Sequence, residues 1–333
     1  MLLGGAGSAE DVFLSAAKNA NFFKKVSIIY TTEIFSMKTI RLIVSACLLG
    51  DAVRYDRKSK PCSYVKDNLA RAFELVGVCP EFESGLGLPR EAMKLCGNSS
   101  CPELRGVLSG KDCTGYLREW LERRMVEIAS LDPGGFVLKS NSPSCGLYPV
   151  KFADNSTEGT GLFAACVSAA FPELAIASDK QLEERFGRQK FLDKLLLMSR
   201  FRELVSSAAG SEVLADFHLN IKLCAMSHAP GRMAELEKFA RRGDWGTYER
   251  KLAVVLDADP EQSKHNNVWR HLQSVLMARG DDYERAALLR AMREFEHGEL
   301  DFKAMLMLLR IGVEKYAPEY QSQFYWRLLD PLY

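Results

Sequence analysis

The feature that most constrains the fold is an alternation of short apolar runs with helical patterns between residues 39 and 180. Four runs have the character of buried strands: IRLIVSA (40–46), LVGV (75–78), FVLK (136–139) and LAIA (174–177). Helical patterns lie between them, the clearest at 114–130 and 160–171. This alternation predicts an α/β domain with a Rossmann-like, mainly parallel sheet and helices on both faces.

The strand pattern ends near residue 180, and helical patterns follow to the end of the chain. We predict helices at 181–207, 211–227, 231–242, 245–257, 264–279, 282–297 and 301–316. Glycine or proline separates most of them, as at Pro230, Gly243 and Gly280. We therefore expect an α/β domain over 38–180 and an all-α domain over 181–333.

Residues 1–37 do not fit either domain. They lack the basic start, apolar centre and small-residue cleavage site of a secretory signal. Met37 opens the run MKTIRLIVSACLLG, which leads directly into the first strand. We expect residues 1–37 to be disordered or an extension beyond the natural start.

The charge balance limits the classes of partner that the protein is expected to bind, and the cysteine content indicates its cellular compartment. Lys and Arg number 44 against 43 Asp and Glu, so no net field favours nucleic acid or membrane. No apolar run has the length of a membrane span, and no obligate protein partner is evident. Nine cysteines, an odd number, in a chain without an export signal favour reduced thiols in the cytoplasm.

Three of the nine cysteines follow strands. Cys47 comes after IRLIVSA, Cys79 after LVGV, and Cys145 six residues beyond FVLK. Because the carboxyl ends of parallel strands share one edge of a sheet, we expect these thiols to meet in one pocket. The spacing is not that of a zinc knuckle, and three soft sulfur ligands suit an iron–sulfur cluster with one iron open.

The motifs around these cysteines resemble the thiouracil desulfidase family. The similarity lies in SACLLG (45–50), VRYD (53–56), VCPE (78–81), GLGLPRE (85–91), SPSCG (142–146) and GTGLFAA (159–165). The second half is similar to the helical YbgA-like domain in FHLNIKL (217–223), MSHAP (226–230), HNNVWRHLQ (265–273) and FEHGEL (295–300). This pairing of domains resembles the tRNA 4-thiouridine desulfidases.

The resemblance implies a 4Fe-4S cluster as cofactor, held by Cys47, Cys79 and Cys145. It also implies that Glu81 is the acid–base group and that Ser142 is its polar partner. The chemistry agrees, because a carboxylate near an open iron can deprotonate a water for attack on a thiocarbonyl carbon. Glu83 competes with Glu81 for this role, and Ser140 or Ser144 competes with Ser142.

Further residues are candidates for holding the substrate. Near the cluster, a base or a phosphate could contact Arg54, Tyr55 and Arg90. In the helical domain, RNA could contact His218, Lys222, His265 and Arg270. For each of these four, capping or bridging of helices is at least as good an explanation, and the domain is not strongly basic.

These observations predict an iron–sulfur-dependent desulfidase that replaces a thiocarbonyl sulfur with oxygen by hydrolysis, with no net redox change. The favoured substrate is 4-thiouridine in tRNA. One alternative is a desulfidase of free thiouracil or a thionucleoside. Another is a non-catalytic protein that binds RNA and uses the same thiols for zinc.

Overall fold

Eight strands are present in the part of the chain that the structure describes. The computed structural model describes residues 40–155, 157–207 and 210–333, so the prediction for residues 1–37 lies outside the described residues. The strands are β1 (Arg41–Ser45), β2 (Glu74–Val78), β3 (Met93–Asn98), β4 (Cys101–Gly106), β5 (Gly135–Leu138), β6 (Val150–Lys151), β7 (Glu158–Gly159) and β8 (Ala175–Ser178).

A four-stranded parallel sheet forms the centre of the first part of the chain. Its strand order is β2-β1-β5-β8, and every neighbouring pair is parallel. All four residues of β5 are buried, as are the last four of β1, which explains their continuously apolar sequences. The predicted α/β fold with a mainly parallel sheet is confirmed.

Six helices accompany this sheet. They are α1 (Ala46–Leu49), α2 (Ala70–Ala72), α3 (Thr114–Ser130), α4 (Leu162–Ala170), α5 (Asp179–Glu183) and α6 (Arg185–Ser206). Two π-helical turns, Val65–Leu69 and Phe82–Leu86, precede α2 and follow β2. One side of the sheet packs on α3 and α4, where the rings of Trp120 and Phe163 meet edge to face at 5.7 Å.

A β-hairpin lies outside the parallel sheet, between β2 and α3 in the chain. Strands β3 and β4 pair antiparallel, with Asn98 opposite Cys101. Asn98 closes the turn, because its side-chain oxygen accepts hydrogen bonds from the backbone N–H and the hydroxyl of Ser100. Gly97 has φ of +78°, a conformation that glycine adopts without strain.

The second part of the chain is helical. It contains α7 (Ser211–His228), α8 (Met233–Arg242), α9 (Trp245–Asp257), α10 (Gln262–Arg279), α11 (Asp282–Glu296) and α12 (Phe302–Tyr316), with short 3₁₀ turns at Pro230–Arg232, Pro318–Tyr320 and Phe324–Leu329. The predicted helices are confirmed to within a few residues. Asp244, Asp281 and Asp301 each cap the helix that follows by accepting a backbone N–H. Among the described helices, none has the length and hydropathy of a bilayer span.

The chain divides into two compact units, which we call the sheet unit and the helical unit. The sheet unit runs from the first described residue to Ser207, and the helical unit covers 210–331 of the described chain. The sequence suggested a boundary at residue 180, before α5 and α6. Both helices belong to the sheet unit, and the side chain of Leu195 in α6 lies against Gly134 and Gly135 at the start of β5.

Buried histidines form polar links inside the helical unit. The ring of His218 lies 3.1 Å from the hydroxyl of Tyr248, and that of His265 lies 2.7 Å from the hydroxyl of Tyr325. The indole N–H of Trp269 donates to the same Tyr325 oxygen at 2.9 Å. These contacts satisfy polar groups that would otherwise be costly to bury.

We expect the helical unit to lose stability in mild acid. Burial lowers the pKa of His218 from its ordinary value of 6.5. The unfolded chain therefore binds more protons than the folded one once the pH falls below 6.5, and the free energy of unfolding decreases until the pH passes the lower, folded-state pKa. Thermal melts at about pH 7.5 and about pH 5.5 should show the lower midpoint at the acidic pH.

The matched variant is His218→Gln, which keeps a polar partner for the Tyr248 hydroxyl but does not titrate. It should show a smaller difference between the two midpoints. An equal difference would mean that other groups cause the acid sensitivity.

Candidate active site

Three cysteines meet at the carboxyl edge of the sheet. Cys47 lies in α1 directly after β1, Cys79 directly follows β2, and Cys145 lies in the loop after β5. These three strands are neighbours in the order β2-β1-β5. All three cysteines line one cavity of about 220 Å³. The topology therefore brings together side chains that are separated by up to 98 positions in sequence.

Burial keeps these thiols protonated in the absence of a bound metal cation. Burial, with the neighbouring Cys79 acting in the same direction, raises the pKa of Cys47 to about 11. Burial also raises the pKa of Cys79 and, well above the usual range, that of Cys145, which a hydrogen bond with Ser45 partly offsets. The three sulfurs are thus close enough to interact, and a bound cation would take the place of their protons.

The loop that carries Cys145 is folded by its own polar residues. The hydroxyl oxygen of Ser142 accepts the backbone N–H groups of Ser144 and Cys145 at 3.2 and 3.0 Å. The N–H of Gly146 donates to the carbonyl of Ser142 at 2.8 Å, and a Cβ at position 146 would lie 2.6 Å from that oxygen. Ser142 and Gly146 therefore form the turn that positions Cys145.

Glu81 is the carboxylate on the wall of the cavity. Its Oε2 accepts hydrogen bonds from Nη2 and Nε of Arg90 at 2.7 and 3.1 Å. Its Oε1 accepts the hydroxyl of Ser144 at 3.0 Å. The expected pairing of Glu81 with Ser142 is therefore wrong, because the Ser142 oxygen is occupied by the turn and Ser144 is the partner.

Arg90 supports Glu81 and is not available to a phosphate. Its side chain is only 5% exposed, and besides Glu81 its Nη1 donates to the carbonyls of Val53 and Gly87 at 3.1 and 3.2 Å. The interpretation of Arg90 as a phosphate contact is corrected accordingly. A fixed guanidinium of this kind holds the carboxylate in one orientation.

Glu83, the competing carboxylate, binds the backbone of Cys79. Its Oε1 accepts the backbone N–H of Cys79 at 2.7 Å, and its Oε2 lies 3.3 Å from Nε of Arg124 in α3. It is not among the residues that line the cavity. Glu83 therefore stabilises the backbone at Cys79.

Lys139 and Asp179 form a part of the site that the sequence reasoning missed. The Lys139 ammonium, on the cavity wall, donates to Oδ2 of Asp179 at 2.7 Å and to the hydroxyl of Ser140 at 2.8 Å. Burial opposes ionisation of Asp179, yet Lys139 and the backbone N–H of Ser140 outweigh it and lower the Asp179 pKa. Both residues directly follow strands, β5 and β8, so the strand-end criterion that selected the cysteines would also have found them.

Arg54 and Tyr55 also line the cavity. The guanidinium carbon of Arg54 lies 5.5 Å from the centre of the Tyr55 ring, and the Tyr55 side chain is exposed. Arg54, like Lys139, favours the thiolate form of Cys47. The structure thus places a cation and an aromatic ring beside the thiols, as expected from the sequence.

The remaining six cysteines do not belong to this cavity. They lie elsewhere in the described chain, and none forms a disulfide with another described cysteine: Cys62, Cys96, Cys101, Cys113, Cys166 and Cys224. Cys166, half-buried in α4, has a pKa that is raised by burial alone. Cys96 and Cys101 lie in the hairpin, so their proximity in sequence does not bring them to the site.

The residues proposed to contact RNA in the helical unit divide into two pairs. His218 is 3% exposed and His265 is fully buried, so neither ring is available to a phosphate, and their interpretation as RNA contacts is wrong. Hydrogen bonds with buried tyrosine hydroxyls account for both polar rings without any ligand. Lys222 is half-buried and Arg270 is exposed, and both remain candidates.

The donor set fits an iron–sulfur cluster with three protein ligands. Two buried thiols and one half-buried thiol share one cavity, and Sγ of Cys79 lies 3.8 Å from the carbonyl oxygen of Val53. Sulfur ligands of this kind select soft metals and clusters. The cations of Arg54 and Lys139 would offset the negative charge of three thiolates.

Comparison with known proteins relates the two units to two families. Residues 42–179 match the family described as 2-thiouracil desulfurase, and residues 222–328 match a family described as a protein of unknown function, DUF1722. The first match contains all three cavity cysteines and Glu81.

Two individual proteins are similar to part of the chain. The uncharacterized protein YbbK of Bacillus subtilis (strain 168) is 28% identical over 137 residues, which cover 39% of this chain and 90% of YbbK. A solved structure of a [4Fe-4S]-dependent thiouracil desulfidase, TudS, has 27% identity and a TM-score of 0.38, and the alignment covers 44% of this chain and 94% of that one.

Proposed function

We propose that this protein replaces the sulfur of a thiolated pyrimidine with oxygen, since residues 42–179 match the 2-thiouracil desulfurase family and residues 222–328 match DUF1722. The favoured substrate is 4-thiouridine in tRNA. The single observation that carries the proposal is the convergence of Cys47, Cys79 and Cys145 on one cavity that Glu81 also lines. The absence of disulfides among the nine described cysteines agrees with a reaction in the reducing cytoplasm.

Cys47, Cys79 and Cys145 would hold a 4Fe-4S cluster as thiolates. When bound, a cluster with one iron free of protein ligands supplies a soft Lewis acid for the sulfur of a thiocarbonyl. Each cysteine gives up the proton that burial otherwise favours, so cluster loading releases protons. Arg54 and Lys139 make this ionisation less costly at Cys47.

Glu81 would act as the general base. Its carboxylate accepts a proton from a water, whose oxygen then forms a bond with the thiocarbonyl carbon as the carbon–sulfur bond breaks. The sulfur leaves as hydrosulfide with the bonding electron pair, and water supplies the new carbonyl oxygen, so no redox equivalent is consumed. Arg90 and Ser144 hold the two carboxylate oxygens, which fixes the base before substrate arrives.

The cavity at the sheet edge is small, and a cluster held by the three thiols would occupy part of it. Its volume of about 220 Å³ lies below the roughly 300–1,000 Å³ of typical small-molecule sites. A tRNA substrate would therefore insert its base, splayed out of the stack, with Tyr55 as a stacking surface and Arg54 toward the backbone phosphate. Ser142, on the cavity wall, would contact the ring. Lys222 and Arg270 would contact RNA outside the sheet unit.

A direct comparison of substrates tests this proposal. Protein reconstituted without oxygen should be incubated with 4-thiouridine tRNA, with 4-thiouridine nucleoside and with free 2-thiouracil, and the sulfide released should be measured. We expect release from all three, with the highest kcat/KM for tRNA. A preference for the free base would assign the chain to the thiouracil alternative. The absence of sulfide from all three would contradict the proposed function.

A further inference from the structure

The Lys139 ammonium is fixed in place and retains one hydrogen-bond donor. A lysine has three N–H groups. Two of them meet Oδ2 of Asp179 at 2.7 Å and the hydroxyl of Ser140 at 2.8 Å, and no third partner occurs among the described residues. The side chain is 19% exposed and lines the cavity, so the third donor is available to a molecule bound there.

Its position relative to the thiols is also defined. Lys139 is the first residue after β5, and its backbone N–H donates to the hydroxyl of Ser45 at the end of β1, at 2.9 Å. Its charge acts on Cys47, so the ammonium lies within electrostatic range of that sulfur. When the thiocarbonyl sulfur of a substrate is held at the three-thiol site, Lys139 would therefore lie beside the edge of the substrate ring.

We propose that Lys139 is a specificity-determining residue that selects uracil-type over cytosine-type thiolated pyrimidines; this inference rests on the proposed function. A thiolated uracil carries a carbonyl oxygen on the other side of the ring N–H from its thiocarbonyl. That oxygen accepts a hydrogen bond from an ammonium. A 2-thiolated cytosine has an amino group at the same place, which offers donors where Lys139 also offers a donor.

The surrounding contacts make this discrimination strict. Asp179 is buried, and its second oxygen accepts the backbone N–H of Ser140 at 2.7 Å, so the ammonium is clamped between the ends of β5 and β8. A clamped donor does not rotate away from a mismatched group, and its third N–H would have no acceptor there. Sites that hydrogen-bond a substrate group reject analogues without it by large factors, up to about 10⁴.

The test compares 2-thiouracil with 2-thiocytosine. We expect the wild-type protein to prefer 2-thiouracil in kcat/KM by at least ~100-fold. Lys139→Met should reduce this preference to below ~10-fold, mainly through a loss on 2-thiouracil. A double variant, Lys139→Met with Asp179→Asn, avoids leaving a buried carboxylate unpaired and keeps an acceptor for the Ser140 N–H. If the single variant is unstable, the double variant should show the same loss of preference for 2-thiouracil.

A binding measurement without turnover separates this inference from the proposed function. Calorimetric titration of the same proteins with uracil and with cytosine should show tighter binding of uracil to wild type, and no such preference in the Lys139 variants. Equal losses for both bases, in turnover and in binding, would overturn the inference and leave Lys139 a structural role. If wild type released no sulfide from any thiolated base, the proposed function would fail, and the titration would still decide whether Lys139 distinguishes the two rings.

Discussion

Cys47→Ala, Cys79→Ala and Cys145→Ala are each expected to lose the iron–sulfur cluster, whereas Cys166→Ala keeps it. Only the first three cysteines line the cavity at the sheet edge. Each would contribute one of the three proposed ligands, and two remaining thiolates would not hold a cubane firmly. Iron should fall from about four per chain to below about one, and sulfide release to background.

Cys166 is the matched control because it is a half-buried thiol of the same domain, in α4, without contact with the cavity. Replacing Cys166 with alanine removes one sulfur atom and only a small amount of buried packing. Iron content measured after anaerobic purification, together with visible absorption, distinguishes the variants. Iron loss from Cys166→Ala equal to that from Cys79→Ala would show that the ligands were assigned to the wrong thiols.

Glu81→Gln is expected to retain the cluster and to lose turnover by on the order of 10²–10⁴-fold. Glutamine keeps an oxygen that can accept the Ser144 hydroxyl, but it cannot take a proton from water. Arg90 loses its counterion, although its two bonds to backbone carbonyls remain. Some loss of thermal stability should accompany the loss of turnover, because the guanidinium is 5% exposed.

Glu83→Gln provides the control for the same chemical change two residues away. Its amide oxygen can still accept the N–H of Cys79, and its charge is not at the cavity. Steady-state sulfide release from protein of matched iron content should stay within about threefold of wild type for Glu83→Gln. If the two variants exchanged their behaviour, Glu83 would be the base, and unchanged turnover in Glu81→Gln would remove Glu81 from the mechanism.

The sequence predicted the thiol site because its geometry follows from topology. Once Cys47, Cys79 and Cys145 are recognised as following strands of one parallel sheet, the shared carboxyl edge brings them together. The register agrees, since Ser45 pairs with Val78 and each is followed within two residues by a ligand candidate. The helices after residue 180 were predictable for a similar reason, because their apolar spacing and caps are local.

Side-chain pairing was not predictable in the same way. Three serines and an asparagine surround Pro143, and only the folded loop shows that Ser142 closes a turn while Ser144 reaches Glu81. The turn directs the side chains of Ser142 and Ser144 differently, and spacing in the sequence does not encode that difference. The link from Lys139 to Asp179 joins two strand ends 40 residues apart, and no local pattern marks it.

Burial in the helical unit was also hidden from the sequence. His218 and His265 have the polarity of surface residues, but tyrosine hydroxyls from distant segments, Tyr248 and Tyr325, satisfy them in the interior. Their partners lie 30 and 60 positions away. The hairpin at 93–106 was not predicted because its strands are short and flank the polar turn GNSS (97–100), and its stability comes from pairing between strands rather than from propensity.

Metal and acid-labile sulfide content of the protein purified without oxygen tests the central claim most directly. The account predicts a brown protein with about four irons and about four sulfides per chain and with little zinc. A colourless, fully folded protein that contains zinc and no iron would contradict the assignment of Cys47, Cys79 and Cys145 to a cluster, and with it the proposed desulfidase.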